Sequence, residues 1–295
     1  MRGTAIVVLG LWLVCGYGPA ANLPSLTRAD GLRLLVSTTS RSPVLLIVLP
    51  GRSESEHAVE VMFPEHVTAR TTPGAEPEHL YLSQTGERPV WRRTGNSIEY
   101  ERDLPKSVHM LARATLTDDG VLFHYEFTNH SKTPYDMIYA VTDPRMKSEF
   151  HDVRLERTYV HHRDGFDLLA SETPARLTMP LQQWLPARYL ASFRWPVPAQ
   201  RIERRGDGIT YYTKSRAVDA PFIATVSADR KWVIASFSRD AGNVWSNPEL
   251  TCQHVDPQVV LPAGRKAIAE VKLLVMPATL AAAYHRAVQQ RASLN

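Results

Sequence analysis

The chain has 295 residues, 44% of them hydrophobic and 22% charged, a balance that excludes a disordered or collagen-like chain. Its 34 basic and 30 acidic residues leave a formal charge of +4. The most basic stretch, Arg201, Arg204, Arg205, Lys214 and Arg216, is broken by Glu203 and Asp207, so no nucleic-acid partner is expected.

Residues 1–21 read as a secretory signal. Arg2 is the positive n-region, residues 5–14 form an apolar run, and Gly18-Pro-Ala-Ala21 supplies small residues for cleavage. The run is too short to cross a bilayer of about 30 Å as a helix. The expectation is a signal peptide at 1–21 and a single β-sandwich domain at 22–295, secreted or periplasmic, with no membrane insertion of the mature chain. Removing the signal takes Cys15 with it and leaves Cys252 as the remaining cysteine, so no internal disulfide is expected. No Cys-x-x-Cys, His-Glu-x-x-His, P-loop, Gly-x-Gly-x-x-Gly or Gly-x-Ser-x-Gly occurs; no metal and no cofactor are expected.

The mature chain shows period-two alternation in short runs between turn residues. Strands are predicted at 32–36, 44–49, 58–63, 97–100, 108–116, 121–128, 135–141, 154–160, 209–213, 222–226, 232–237 and 266–275. Residues 44–49 are apolar throughout and suit a strand buried on both faces. In 121–128, Val121, Phe123, Tyr125 and Phe127 share one face, and Leu122, His124, Glu126 and Thr128 the other. Residues 171–200 mix Pro174, Pro180, Pro186, Pro196 and Pro198 with Trp184, Tyr189, Phe193 and Trp195, too proline-rich for a central strand. Residues 279–291 read as a helix capped by Thr279. The fold class is therefore all-β: a large antiparallel two-sheet sandwich with a short C-terminal helix.

The layout from Trp91 to Asp143 carries a resemblance. Ile98-Glu-Tyr100 is followed by a strand with a Thr117-Asp-Asp-Gly120 tip, then by a long strand closing on Thr128-Asn129-His-Ser131. Asn247-Pro248, His254-Val-Asp-Pro257 and Leu261-Pro-Ala-Gly264 precede the last strand. This resembles the galactose-mutarotase-like proteins, the supersandwich fold of aldose epimerases and many polysaccharide-acting domains. The resemblance implies that fold and a carbohydrate connection. It does not carry over the epimerase catalytic pair, because Asp136-Met-Ile-Tyr-Ala140 lacks the expected histidine and residues 232–237 lack the expected acid.

Three constellations offer chemistry. In residues 243–257, Trp245 can stack on a sugar ring, while Asn247, His254 and Asp256 can meet hydroxyls. His254 and Asp256 are two apart and face the same way on a strand, as acid/base work requires. Arg157, Tyr159 and His162 are the set that would abstract a proton beside a uronate carboxylate, as a lyase does. Arg194 and Trp195, in the proline-rich stretch, can line a cleft, and His124 sits on the non-core face of a central strand. The sequence reads as a secreted carbohydrate-interacting protein that binds or acts on a poly- or oligosaccharide. The alternative is a non-catalytic domain that binds a protein partner through an aromatic loop, with Trp184, Tyr189, Phe193 and Trp195 forming an exposed patch.

Overall fold

A computed structural model describes residues 23–85, 87–173 and 180–295. The signal sequence expected at 1–21 lies outside the described residues.

The described strands form four sheets. The largest has nine strands, in the order Gly165–Leu168, Thr158–His162, Phe222–Val226, Val233–Ser238, Lys266–Met276, Gly120–Asn129, Val108–Thr117, Ser97–Leu104 and Arg92–Thr94, all antiparallel. Its centre is a meander whose alternation was legible: Val121, Phe123, Tyr125 and Phe127 are fully buried, and Leu122, His124 and Glu126 are half-buried on the other face. Three smaller sheets complete the fold. One has five strands and ends on Val59–Met62 and Asp143–Met146. Another joins Val259–Leu261, Tyr135–Ala140, His66–Arg70 and Glu78–Leu82. The last joins Ile202–Arg204, Thr210–Thr213, Arg188–Ser192 and Asn243–Ser246, with its middle pair parallel.

One continuous apolar cluster draws on all four sheets, as a sandwich requires. Phe63 sits at its centre, with ring centroids 5.0 Å from Phe123 and 4.9 Å from Tyr125. Val44–Val48 is buried throughout, matching its unbroken apolar run. The two sheets expected are thus realised as one wide sheet and three narrow ones, since short strands between turns cannot all join one second layer. The sequence reading passed over Asp143–Met146, His66–Arg70 and Asn243–Ser246, which are short and rich in polar residues.

Among its described residues the proline-rich stretch contains one helical turn, Leu181–Trp184, and the strand Arg188–Ser192, which is paired on both edges within its sheet. The expectation that the stretch holds no central strand fails because that segment is free of proline. Trp184 and Tyr189 are buried, their rings 5.8 Å apart, and Phe193 is half-buried. The exposed aromatic patch expected for protein binding does not form, because these rings fill the core instead. Trp195 alone of the four is exposed, at 49%.

The C-terminal helix, Leu280–Arg291, starts where Thr279 Oγ1 accepts the Ala282 N–H. Its Ala283 and Ala287 pack on the outer face of the nine-stranded sheet, against Phe222, Ala235 and Phe237. The pairing is locked by Asp119, which accepts from Arg286 at 2.7 Å and Gln290 at 2.6 Å and pairs with buried Lys272 at 2.8 Å. Burial alone would raise the Asp119 carboxyl, but Lys272 and Arg286 outweigh it and hold it well below the usual range. The stabilisation is complete above the unfolded carboxylate value of about 3.9 and is lost as pH falls through the lower folded value. Asp119→Asn should cost about 3 kcal/mol, because Lys272 is left charged in a dry site. Hydrogen exchange should then show the helix opening before the sheets; unchanged helix protection would rule out the clamp.

Candidate functional site

The site is organised by an extended segment, residues 252–256, that belongs to no sheet. Isolated bridges pair Cys252 with Arg145 and His254 with Trp245. The backbone bonds are Gln253 N–H to Pro144 O at 3.0 Å, His254 N–H to Trp245 O at 3.1 Å and Trp245 N–H to His254 O at 3.2 Å. Extended backbone sends alternate side chains to opposite sides. Gln253 turns into the nine-stranded sheet, donating to Thr225 Oγ1 and Ile234 O, both at 3.0 Å, and accepting from Ser236 Oγ at 2.9 Å. Cys252, His254 and Asp256 are left on the other side, so the predicted shared face of His254 and Asp256 is present.

His254 is 1% exposed, and its imidazole stacks on the Trp245 indole with centroids 3.8 Å apart and planes 2° from parallel. Its Nε2 lies 3.4 Å from Asp143 Oδ1 and its Nδ1 3.4 Å from Asp256 Oδ2. Asp143 Oδ2 accepts from Arg145 Nε at 2.6 Å, and Arg145 reaches Glu65 at 3.4 Å. Burial alone would depress the His254 imidazolium, but Cys252, Asp143 and Asp256 outweigh it and hold the value well above that of an ordinary histidine. Burial would raise Asp143 too, but His254 and Arg145 bring it below the usual carboxylate value. Burial pushes Asp256 up, with the Asp143 charge adding to it, and His254 offsets only part of the rise. Glu65 is raised by burial and then by the Asp143 charge. Beside it, burial and then the His79 charge push His66 down to about 4. His66 Nδ1 pairs with Thr68 Oγ1 at 2.8 Å, which in turn meets His79 Nδ1 at 2.9 Å.

Above this polar layer lies an open cavity of about 430 Å³, within the range of small-ligand sites. Aromatic walls come from Tyr139, Trp195, Tyr211 and Trp245, and polar groups from Arg205, Asn243, Asp256 and Gln258. Arg205 lies over the Tyr211 ring and donates to its hydroxyl at 3.0 Å. Trp195 packs on Gly242 so closely that a Cβ there would sit 2.3 Å from the indole.

Of the residues singled out from sequence, Trp245, Trp195 and Asp256 line this cavity. His254 lies beneath it, covered by Trp245. Asn247 is buried, its amide donating to Cys252 Sγ at 3.2 Å and its carbonyl accepting from Leu250 N–H at 2.7 Å, so neither group faces a sugar. Arg194 points to solvent and pairs with Asp240 at 2.6 Å. His124 pairs with Glu270 at 2.8 Å on the non-core face of its strand. Arg157, Tyr159 and His162 are not brought together at the cavity. Arg157 is occupied by the carbonyls of Glu149, His151 and Val226. Tyr159 is half-buried in its strand, and His162 meets Ala217 O at 2.9 Å in a separate depression. The reading missed Tyr139, Asp143, Arg145, Arg205, Tyr211 and Gln258; the alternation of Asp143-Pro-Arg145 is the one local signal that pointed to them. Among the described residues, Asp143, Cys252 and His254 could hold a metal, since their ligand atoms all lie within 4.8 Å of one another.

No family model and no curated sequence matches the chain. Solved structures similar to it include a galactose mutarotase-like protein from Lactobacillus casei, at 10% identity and TM-score 0.47, covering 86% of this chain and 100% of that one. A putative aldose 1-epimerase from Escherichia coli K12 matches at 12% identity and TM-score 0.45, covering 87% and 99%. An α-N-acetylgalactosaminidase from Bifidobacterium bifidum matches at 10% identity and TM-score 0.50, covering 91% of this chain and 39% of that one. The structural neighbours are thus galactose mutarotase-like proteins and carbohydrate-active enzymes, and at these identities the likeness is one of fold.

Gln253 is the pin of the segment. Gln253→Ala should cost about 2 kcal/mol in urea denaturation by leaving the Ser236 hydroxyl without its acceptor and taking a donor from the Ile234 carbonyl and from Thr225, which keeps only Thr158. A loss under about 0.5 kcal/mol, the level of a neutral surface change, would show that the bridges alone hold it.

Proposed function

We propose that the protein is a secreted or periplasmic carbohydrate-interacting protein whose cavity holds part of a poly- or oligosaccharide, with Asp256 as the carboxylate that meets it. The observation that carries this reading is the lining itself. A sugar ring presents apolar C–H faces and a hydroxyl-bearing edge. Flat aromatic walls from Trp195, Tyr211 and Trp245 suit the first, and Asn243, Asp256 and Gln258 suit the second. His254 backs the Trp245 ring, so the platform is rigid before any ligand arrives. Secretion is supported by the composition of residues 1–21.

The wall chemistry favours lyase-like action over hydrolysis. A hydrolase needs two carboxyl groups facing across the bond, and Asp256 is the one carboxylate among the described lining residues. Tyr139 and Tyr211 supply phenols and Arg205 a guanidinium, the groups that accept or donate a proton and neutralise a uronate carboxylate. In this reading the roles first read from Arg157 and Tyr159 fall to Arg205 and to Tyr139 or Tyr211, while no histidine among the described lining residues replaces His162.

Thermal unfolding of the purified protein against neutral and uronic oligosaccharides tests this. A ligand at 100 times its Kd adds about 2.7 kcal/mol, or about 5 °C in Tm for a chain of this size. Uronic oligomers should give the shift, and Arg205→Ala should abolish it for them. Trp245→Ala should weaken binding about tenfold or more, the loss of one aromatic platform. Gly242→Ala should do the same by displacing Trp195, leaving the fold intact. No shift with any oligosaccharide class would count against the reading.

A further inference from the structure

We propose that Asp143, Cys252 and His254 bind a divalent metal ion of the zinc class beneath the cavity. The three side chains come from two parts of the chain, and each residue is 1% exposed. Extended backbone puts Cys252 and His254, two apart, on one face, and the bridge from Cys252 to Arg145 draws Asp143 up to them.

The spacing fits a metal better than it fits an ion pair. His254 Nε2 and Asp143 Oδ1 are 3.4 Å apart, and Oδ1 is buried without a hydrogen-bond partner among the described residues. Bonds of about 2.1 Å to one tetrahedral ion separate two such ligand atoms by about 3.4 Å. Cys252 Sγ lies within 4.8 Å of both, so a movement of about an ångström at most brings it to the thiolate distance.

Each proposed ligand is also held on its other side by a group outside the set. Arg145 Nε donates to Asp143 Oδ2 at 2.6 Å, Asn247 Nδ2 donates to Cys252 Sγ at 3.2 Å, and Asp256 Oδ2 faces His254 Nδ1 at 3.4 Å. Such outer partners orient ligands and set the histidine tautomer, here with the proton on Nδ1 and the Nε2 lone pair free. One carboxylate and one thiolate balance a doubly charged ion, which a site this dry requires. Binding releases the Cys252 thiol proton and the His254 Nε2 proton to solvent and changes no oxidation state. Sulfur, nitrogen and oxygen donors together select zinc over magnesium or calcium. With three protein ligands, the fourth position falls to water.

The test begins with metal content. The purified protein, dialysed against zinc and then metal-free buffer, should retain about one zinc per chain by plasma mass spectrometry. A strong chelator should lower its Tm, and zinc should restore it. With cobalt in place of zinc, a thiolate-to-metal charge-transfer band should appear in the near ultraviolet. Cys252→Ser should lose that band, and Asp143→Asn should lose the metal, each with its far-ultraviolet circular dichroism unchanged. Sub-stoichiometric zinc in the wild-type protein, with a Tm indifferent to zinc and chelator, would overturn the proposal. So would stoichiometric zinc that survives both substitutions. These readouts use no sugar, so they stand or fall separately from the carbohydrate reading.

Discussion

The architecture around the cavity depends on how one extended segment is held. Residues 252–256 have no sheet of their own, yet three neighbours determine their path. Pro144 and Arg145 hold one edge, Trp245 holds the other, and the Gln253 amide is sunk into the nine-stranded sheet. Once Gln253 and Val255 point inward, alternation leaves Cys252, His254 and Asp256 no choice of side. Asp143 and Arg145, on the adjoining edge, are brought to the same layer by the same bridge.

Two levels of polarity follow. The lower level is dry. There Asp143, Arg145 and His254 compensate one another; half-buried Glu65 lies beyond Arg145, and half-buried His66 meets the Thr68 hydroxyl, which exposed His79 reaches from the rim. Charges this deep persist only when each has a partner of opposite sign or a hydrogen bond, and the chain from Glu65 through Arg145 to Asp143 and His254 meets that condition. The upper level is open and aromatic. Trp245 separates the two, with one face on His254 and the rest of its surface toward the cavity. Asp256 connects the levels, since it touches His254 below and lines the cavity above.

Elsewhere, residues of catalytic type serve the fold. Arg157 gathers three backbone carbonyls, and His161 stacks on Tyr284 at 3.8 Å while sharing Asp219 with it. Asp119 ties the C-terminal helix to the sheet. Asn129, at the end of the long strand, is 1% exposed and donates to the Thr133 and Pro262 carbonyls. A side chain saturated by backbone or by a buried partner has no capacity left for a ligand. That separates these groups from the half-open Asp256 and Trp245.

By itself the sequence determined the elements whose signal is local. Alternation gave the strand around Phe123 and Tyr125, the unbroken apolar run gave the buried strand at 44–48, and Thr279 marked the start of the last helix. It also determined that His254 and Asp256 share a face, because that needs only extended backbone. Only the tertiary structure decided which residues meet. Asp143 lies more than a hundred positions from His254, and Tyr139, Arg205 and Tyr211 reach the cavity from two different sheets. No periodicity within a strand reports such contacts, because they are set by how sheets pack and not by how a strand alternates. The burial of Trp184 and Tyr189 was decided at the same level. An aromatic among prolines reads alike whether it faces solvent or core, until the layer that covers it is in place.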